Sequence, residues 1–323
     1  MIVEEFQWPI DKVGKLRSCV IALRRNEVGP GVDDSKGEKT VVVVIPGNPG
    51  PPQFYRRLME KMLEISTPDE VDEIYCLGHT GHTSTDNVWQ TFSYTEQTSH
   101  KLYMLRNKIF GRKKKLVLIG HSIGAWICTD LMRQFQEIEQ SKIRAVVCLF
   151  PTLMHIGKSP NGQSLGPLIG NYYVREFSAI VVNLLRKCCL EKALSSMVNW
   201  MQGSIMDYED AKLTVEKLMH PYVVRNAMYM GDTEMKSMGE IDSVTIRRHA
   251  DKFFFYFGPS DGWTQPIDVH LMKVREAIGS SIRLNEIVRV DANEMPHACT
   301  LGPSYAALAH ILIEEYMRGI LKQ

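Results

Sequence analysis

No run of about 18 consecutive apolar residues occurs in this 323-residue chain, so no segment is expected to cross a bilayer as a helix. The opening Met1-Ile2-Val3-Glu4-Glu5 has neither a basic stretch nor an apolar core behind it, so no secretory signal is expected. An excess of one charge is also missing. A formal net charge of +1 removes the usual electrostatic reason to expect a nucleic-acid partner. The seven cysteines contain no Cys-x-x-Cys and one adjacent pair, Cys188-Cys189. Scattered and odd in number, they read as reduced thiols and not as a disulfide framework. Internal repeats and low-complexity linkers are absent. What remains is 44% hydrophobic and 23% charged, enough to fill a large core.

Periodicity organises that core. Residues 17–23 read as a strand, followed by a polar turn over 26–37. Val41-Val42-Val43-Val44-Ile45 is an unbroken β-branched run, the pattern of a strand buried on both faces. Helices at about 53–65 and 96–110 then alternate with strands at 71–77, 116–119 and 143–149. The alternation lapses over 151–248 and resumes with a strand at 252–257, a helix at 267–277, a strand at 286–290 and a helix at 305–321. Strand–helix alternation predicts an α/β fold with a mostly parallel, doubly wound sheet. Residues 1–150 and 249–323 are expected to form the sheet domain, and 151–248 a helical cap or lid inserted into it.

Gly120-His121-Ser122-Ile123-Gly124 falls between the 116–119 strand and a helical pattern expected to run to about residue 139. In that setting G-x-S-x-G describes a nucleophile elbow: Gly120 and Gly124 permit close strand–helix packing, and Ser122 is exposed at the turn. A serine hydroxyl needs a base, and the base needs an acid to fix its tautomer. The chain order of α/β-hydrolases is Ser, then an acid, then His. Asp261 follows the 252–257 strand and His297 follows the 286–290 strand, each on a loop where that order requires it. Asp251 precedes its strand and would lie on the wrong edge of the sheet. Asp291 and Glu294 do not follow a separate strand.

The two expected oxyanion donors are the backbone N–H groups of Ile123, after the nucleophile, and of Asn48. Asn48 belongs to Pro46-Gly47-Asn48-Pro49-Gly50, after the 41–45 strand, and Pro49 has no N–H to offer. His121 is expected to buttress the elbow. His79 and His82 lack the further ligands a metal site needs and are expected on a loop at the pocket mouth. The reading calls for no cofactor and no metal.

Ile45-Pro46-Gly47-Asn48-Pro49-Gly50, Gly120-His121-Ser122-Ile123-Gly124, Phe150-Pro151-Thr152, Ser159-Pro160-Asn161-Gly162, Phe257-Gly258-Pro259-Ser260-Asp261-Gly262-Trp263 and Pro296-His297-Ala298 follow one another in that order, a series that carries a resemblance to the lipid droplet-associated hydrolases. It implies an α/β-hydrolase fold and serine hydrolase chemistry, with the triad on Ser122, Asp261 and His297. It further implies lipid ester substrates, sterol esters among them, and residence on lipid droplets and the endoplasmic reticulum. A thioesterase or general esterase for smaller acyl groups, and a droplet tether with little turnover, stay open at this point.

Within 151–248, Phe177, Ile180, Val181, Leu184, Leu185, Cys188 and Cys189 recur at helical spacing, and Leu190, Leu194, Met197, Val198 and Met201 follow, with Trp200 beside them. Two readings compete: a stripe packed over the sheet, or an amphipathic segment lying in a lipid monolayer or membrane surface. The basic run Arg112-Lys113-Lys114-Lys115 precedes the elbow strand and is expected as a solvated cluster at the edge remote from the site.

Overall fold

Every residue of β3 (Thr40–Ile45) is buried, and its side chains divide between two cores. Val41, Val43 and Ile45 enter one cluster and Val42 and Val44 the other, as a period of two requires of a strand covered on both faces. The structure is a computed structural model and describes residues 1–25, 39–86, 88–111, 114–202, 205–279 and 284–321. The turn expected over 26–37, and Arg112 and Lys113 of the basic run, lie outside the described residues.

The other strands are β1 (Ile2–Pro9), β2 (Arg17–Arg24), β4 (Glu73–Leu77), β5 (Lys115–His121), β6 (Ile143–Leu149), β7 (Phe253–Phe257) and β8 (Val288–Val290). They form one eight-stranded sheet in the order β1-β2-β4-β3-β5-β6-β7-β8. β1 and β2 pair antiparallel, as do β2 and β4, and the other neighbours are parallel. The mostly parallel, doubly wound sheet expected from the alternation is the one that forms.

Between and after the strands come α1 (Arg56–Ile65), α2 (Tyr94–Met104), α3 (Ile123–Gln134), α4 (Glu137–Gln140), α5 (Pro160–Ile169), α6 (Tyr172–Cys188), α7 (Glu191–Gln202), α8 (Tyr208–Lys217), α9 (Pro221–Ser237), α10 (Ser243–Arg248), α11 (Ile267–Ile278), α12 (Leu284–Ile287), α13 (Ser304–His310) and α14 (Arg318–Leu321). Residues 151–248 are thus helical, and α10 packs against α3 and α11.

Several elements differ from expectation. β1 was not anticipated: its half-exposed residues lack a clean apolar alternation, yet it pairs with β2 along its full length. The helix after the elbow ends at Gln134, because Phe135 turns to an extended conformation before α4. The helix expected over 96–110 is α2, held at its start by a Ser93–Glu96 capping box, running on into a π-helical turn at Leu105–Ile109. The strand expected at 286–290 is a helical turn, α12, followed by three strand residues. Lys114 is not simply solvated; its ammonium bonds Asp72 at 2.7 Å and Glu73 at 2.9 Å.

Sheet register places the site. β3 pairs with β5 so that Ile45 lies opposite Gly120, and β5 with β6 so that His121 lies opposite Leu149. β6 and β7 pair with Leu149 opposite Tyr256. The loops after β3, β5, β6, β7 and β8 therefore leave the same edge side by side. β4 and β5 lie on opposite sides of β3, so the chain reverses its direction of winding there, the position where open α/β sheets hold ligands.

Candidate active site

Ser122 stands between β5 and α3 with φ 55° and ψ −123°, a conformation that costs a non-glycine residue of order 1–3 kcal/mol. Packing enforces it. A Cβ on Gly120 would sit 2.4 Å from the Gly124 carbonyl oxygen, and one on Gly124 would sit 2.2 Å from that of Ile45. Strand and helix approach too closely for either residue to be anything but glycine. Gly47 allows the next approach, since its Cβ would come within 3.0 Å of the Ser122 Cβ.

Three side chains 36 to 175 residues apart meet at this tip. The Ser122 hydroxyl donates to His297 Nε2 at 2.9 Å, and His297 Nδ1–H donates to Asp261 Oδ2 at 2.6 Å. The Asp261 carboxylate only accepts, which places the ring proton on Nδ1 and leaves the Nε2 lone pair facing serine. Asp261 Oδ1 accepts the Trp263 N–H at 2.9 Å, so the carboxylate cannot rotate freely. The Asp261 side chain is 1% exposed and that of His297 22%.

Each loop has its own support. Asp291 accepts the Tyr256 hydroxyl at 2.6 Å and the Asn293 and Met295 N–H groups, shaping the turn that delivers His297. Glu294 and Asp251 are exposed. The Ser159-Pro160-Asn161-Gly162 segment abuts the acid's loop: Asn161 N–H donates to the Gly262 carbonyl at 3.1 Å, and a Cβ on Gly262 would strike the Asn161 side chain.

The loop after β3 is braced by polar contacts that sequence reading did not find. Gly47 N–H donates to the Tyr55 hydroxyl at 2.8 Å, Tyr55 donates to His121 Nδ1 at 2.7 Å, and His121 Nε2–H donates to the His297 carbonyl at 2.8 Å. One relay thus joins the β3 loop, the elbow and the histidine loop. Burial, with His297 close by, pushes His121 down to about 3, so the ring is neutral as the relay requires.

His79 and His82 do not sit at the pocket mouth. Both are fully buried beneath the same loop: His79 Nε2–H donates to the Pro46 carbonyl at 3.0 Å, and Gly50 N–H donates to His82 Nδ1 at 3.2 Å. They hold the loop's two ends from behind. Burial drives both below their ordinary value, His82 to about 3. The Gly78-His79-Thr80-Gly81-His82 segment leaves β4 beside β3, and that adjacency is the signal that could have placed it.

The N–H groups of Ile123 and Asn48 have no acceptor among the described hydrogen bonds. Ile123 is the first residue of α3, where no intrahelical acceptor exists. Asn48 lines the space around Ser122. Ser122 stands at the N-terminus of α3, whose positive dipole end favours an anion there.

Two cavities of about 260 and 220 Å³ meet at Asn48, Pro49, Ser122 and His297, which line both. The first is walled by Leu165, Ile169, Ala227, Met228 and Met235 of α5 and α9, with Glu234 the one acidic side chain among the described residues that line it. The second is walled by Phe54, Met206, Leu218 and Leu301. A larger cleft of about 370 Å³ at Trp126, Asp130 and Arg133 contains none of the four shared residues.

Of the amphipathic series in α6, Phe177, Ile180 and Leu184 are exposed at 66%, 57% and 53%. Val181 and Leu185 are half-buried. Nearby in sequence, Tyr173, Leu190 and Trp200 are 80–84% exposed. Among the described residues no helix is long and apolar enough to cross a membrane.

A mostly parallel sheet with a serine elbow after β5, an acid after β7 and a histidine after β8 is that of an α/β-hydrolase. Solved structures agree on the fold: a 2-hydroxy-6-oxo-6-phenylhexa-2,4-dienoate hydrolase from Rhodococcus superposes with TM-score 0.62 at 14% identity, covering 98% of this chain and 99% of its own. A Thermogutta terrifontis esterase gives 0.60 at 13%, with 98% and 99% covered. The chain belongs to the lipid droplet-associated hydrolase family, whose model matches residues 38–299. The human lipid droplet-associated hydrolase is 30% identical over 244 residues, 71% of this chain and 72% of that protein. The Drosophila melanogaster one is 26% identical over 315 residues, 90% and 94% of the two chains.

Proposed function

We propose that this hydrolase cleaves lipid esters, sterol esters among them, by a Ser122–His297–Asp261 mechanism. The observation that carries the reading is the unbroken hydrogen-bonded line from Ser122 through His297 to Asp261 in a site with two apolar arms.

As Ser122 Oγ attacks the ester carbonyl, its proton passes to His297 Nε2 and the buried Asp261 carboxylate stabilises the imidazolium. The carbonyl oxygen, now negative, takes the Ile123 and Asn48 N–H groups, each donor contributing about 3 kcal/mol to the transition state. Collapse of the tetrahedral adduct breaks the ester C–O bond, and His297 returns its proton to the leaving alkoxide. Water, deprotonated by the same imidazole, attacks the acyl-enzyme and releases the acid, restoring Ser122. Two apolar cavities joined at the serine suit a substrate apolar on both sides of its carbonyl, which favours lipid esters over small acyl thioesters.

In this reading residues 1–150 and 249–323 form the catalytic core, and 151–248 form a cap whose α5, α8 and α9 wall the two cavities. The cap also carries the lipid contact. Phe177, Ile180 and Leu184 project from α6, and Leu165 of α5 is both 39% exposed and part of the first cavity's wall. An apolar face reaching the cavity wall would deliver an insoluble ester from a droplet monolayer, or from the cytosolic face of the endoplasmic reticulum, without passage through water. Val181 and Leu185, half-buried, support the helix from below.

A fluorophosphonate probe tests the chemistry. Labelling of wild type and loss of label in Ser122→Ala is the expected result, with accumulation of the substrate ester in cells carrying the variant. Failure of the folded wild-type protein to label would defeat the reading. A cellular phenotype that survives Ser122→Ala would favour a tether over an enzyme.

A further inference from the structure

Glu234 of α9 is buried, with 4% of its surface exposed, and it lines the first cavity. No cation faces it. Asn48, the one side chain among the described residues that bonds it, donates from Nδ2 to Glu234 Oε1 at 3.0 Å and to the Ala227 carbonyl at 3.0 Å. A carbonyl can only accept, which fixes the Asn48 amide with its nitrogen toward Ala227 and Glu234. The other amide atom, Asn48 Oδ1, is then sealed from solvent with no donor among the described residues. A buried acceptor left in that state costs about 1–3 kcal/mol. A carboxylate cannot relieve it; a carboxylic acid can, by accepting from Nδ2 through one oxygen and donating to Oδ1 through the other.

We propose that Glu234 is a positioning residue: as a carboxylic acid it makes a two-point pair with the Asn48 side-chain amide and thereby holds the Asn48 backbone N–H beside Ser122. The proposal rests on the reading of that N–H as an oxyanion donor.

The surroundings favour the neutral acid. Burial raises Glu234 to about 8, against the opposing bond from Asn48. The elements packed on α9 bring little charge to oppose this. α5 carries no titratable side chain. On α6, Glu176 is engaged with Arg225 at 2.9 Å, and Arg175 lies over the rings of Tyr172 and Tyr229. Lys158, in the turn before α5, is exposed, and His155 beside it bonds Glu240. From α2, Tyr94 feels Glu234 and is itself raised by burial and by the Glu234 and Asp130 charges. On α9 itself, Asp232 is paired with Lys236. Across the cavity stand His297 and Ser122. Loss of the proton would break the bond to Oδ1 and set a negative charge beside the developing oxyanion, so activity should fall on the alkaline side.

Two measurements on the purified full-length protein decide this. In infrared difference spectra, wild type should show a protonated carboxyl band at pH 7 that fades near pH 8 and is missing in Glu234→Gln. In ester hydrolysis, Glu234→Ala should lower kcat about ten- to a hundredfold with little change in KM. Glu234→Gln, whose amide can make the same two bonds, should restore most of that rate and lose the alkaline fall while keeping the acid limb. The proposal is overturned if the band is absent at pH 7, or if the alkaline fall persists in Glu234→Gln. A wild type that shows the band but no Ser122-dependent turnover overturns the hydrolytic reading and the positioning role with it, leaving a structural clamp.

Discussion

Replacing Asp261 by Asn removes one charge and almost no volume, and the geometry predicts how much activity goes with it. The carboxylate serves two donors, Trp263 N–H at 2.9 Å and His297 Nδ1–H at 2.6 Å. An amide has one acceptor. With its nitrogen toward His297 it donates to Nδ1 and drives the ring proton to Nε2, which then faces Ser122 Oγ with a donor and cannot take its proton. With its oxygen toward His297, the nitrogen abuts Trp263 N–H at a side chain 1% exposed, at a cost of about 1–3 kcal/mol. The productive rotamer is therefore depleted about 5- to 150-fold. Molecules in that rotamer also lack the anion opposite the imidazolium, and a charge-assisted bond replaced by a neutral one forfeits about 2 kcal/mol more. Together these give a kcat lower by about 150- to 5,000-fold, with KM and the melting temperature little changed. Steady-state hydrolysis of a p-nitrophenyl ester, with a thermal melt of each protein, measures both. A folded Asp261→Asn enzyme within about tenfold of wild type in kcat would refute the reasoning.

Two further outcomes follow from burial and exposure. His82, His100 and His121 are each pushed down to about 3, and His79 well below its ordinary value, chiefly by burial. All four are neutral in the folded protein but protonate near 6.5 when unfolded, so the stability present above that pH is lost as pH falls from 6.5 toward 3. Each removes about 1.4 kcal/mol per pH unit well below 6.5. Asp86 and Glu234, raised to about 6 and about 8, act in the opposite sense but are outnumbered. Melting followed by circular dichroism should show a midpoint that drops steeply below about pH 6; a flat profile down to about pH 4.5 would contradict this. For the lipid contact, Phe177→Glu, Ile180→Glu and Leu184→Glu together should leave the fold intact and lower binding to phospholipid-coated oil droplets by more than about a hundredfold. Undiminished flotation with the droplets would remove α6 from the contact.

The parts legible in the chain were those written in local pattern. An unbroken β-branched run marks a strand covered on both faces, two glycines around a serine mark the sharp turn, and the order of loops after successive strands singles out Asp261 and His297. The first two signals each lie within a dozen residues, because backbone period and sterics are local properties; the third is chain order, which the sequence displays directly. β1 was illegible for the same reason: half-exposed, it gains its strand character from pairing with β2 and not from its own alternation. The embrace of the β3 loop was beyond reach altogether. Tyr55 and His121 are 66 residues apart, His79 and Pro46 33, and Asn48 and Glu234 186. No periodicity links them. Whether a polar side chain is buried, which partner it meets and which protonation state it therefore keeps depend on the dielectric and the neighbours that packing creates. Composition and spacing determined a serine-bearing α/β sheet; only the folded chain decided what stands behind the loop after β3 and which face of α6 is left to solvent.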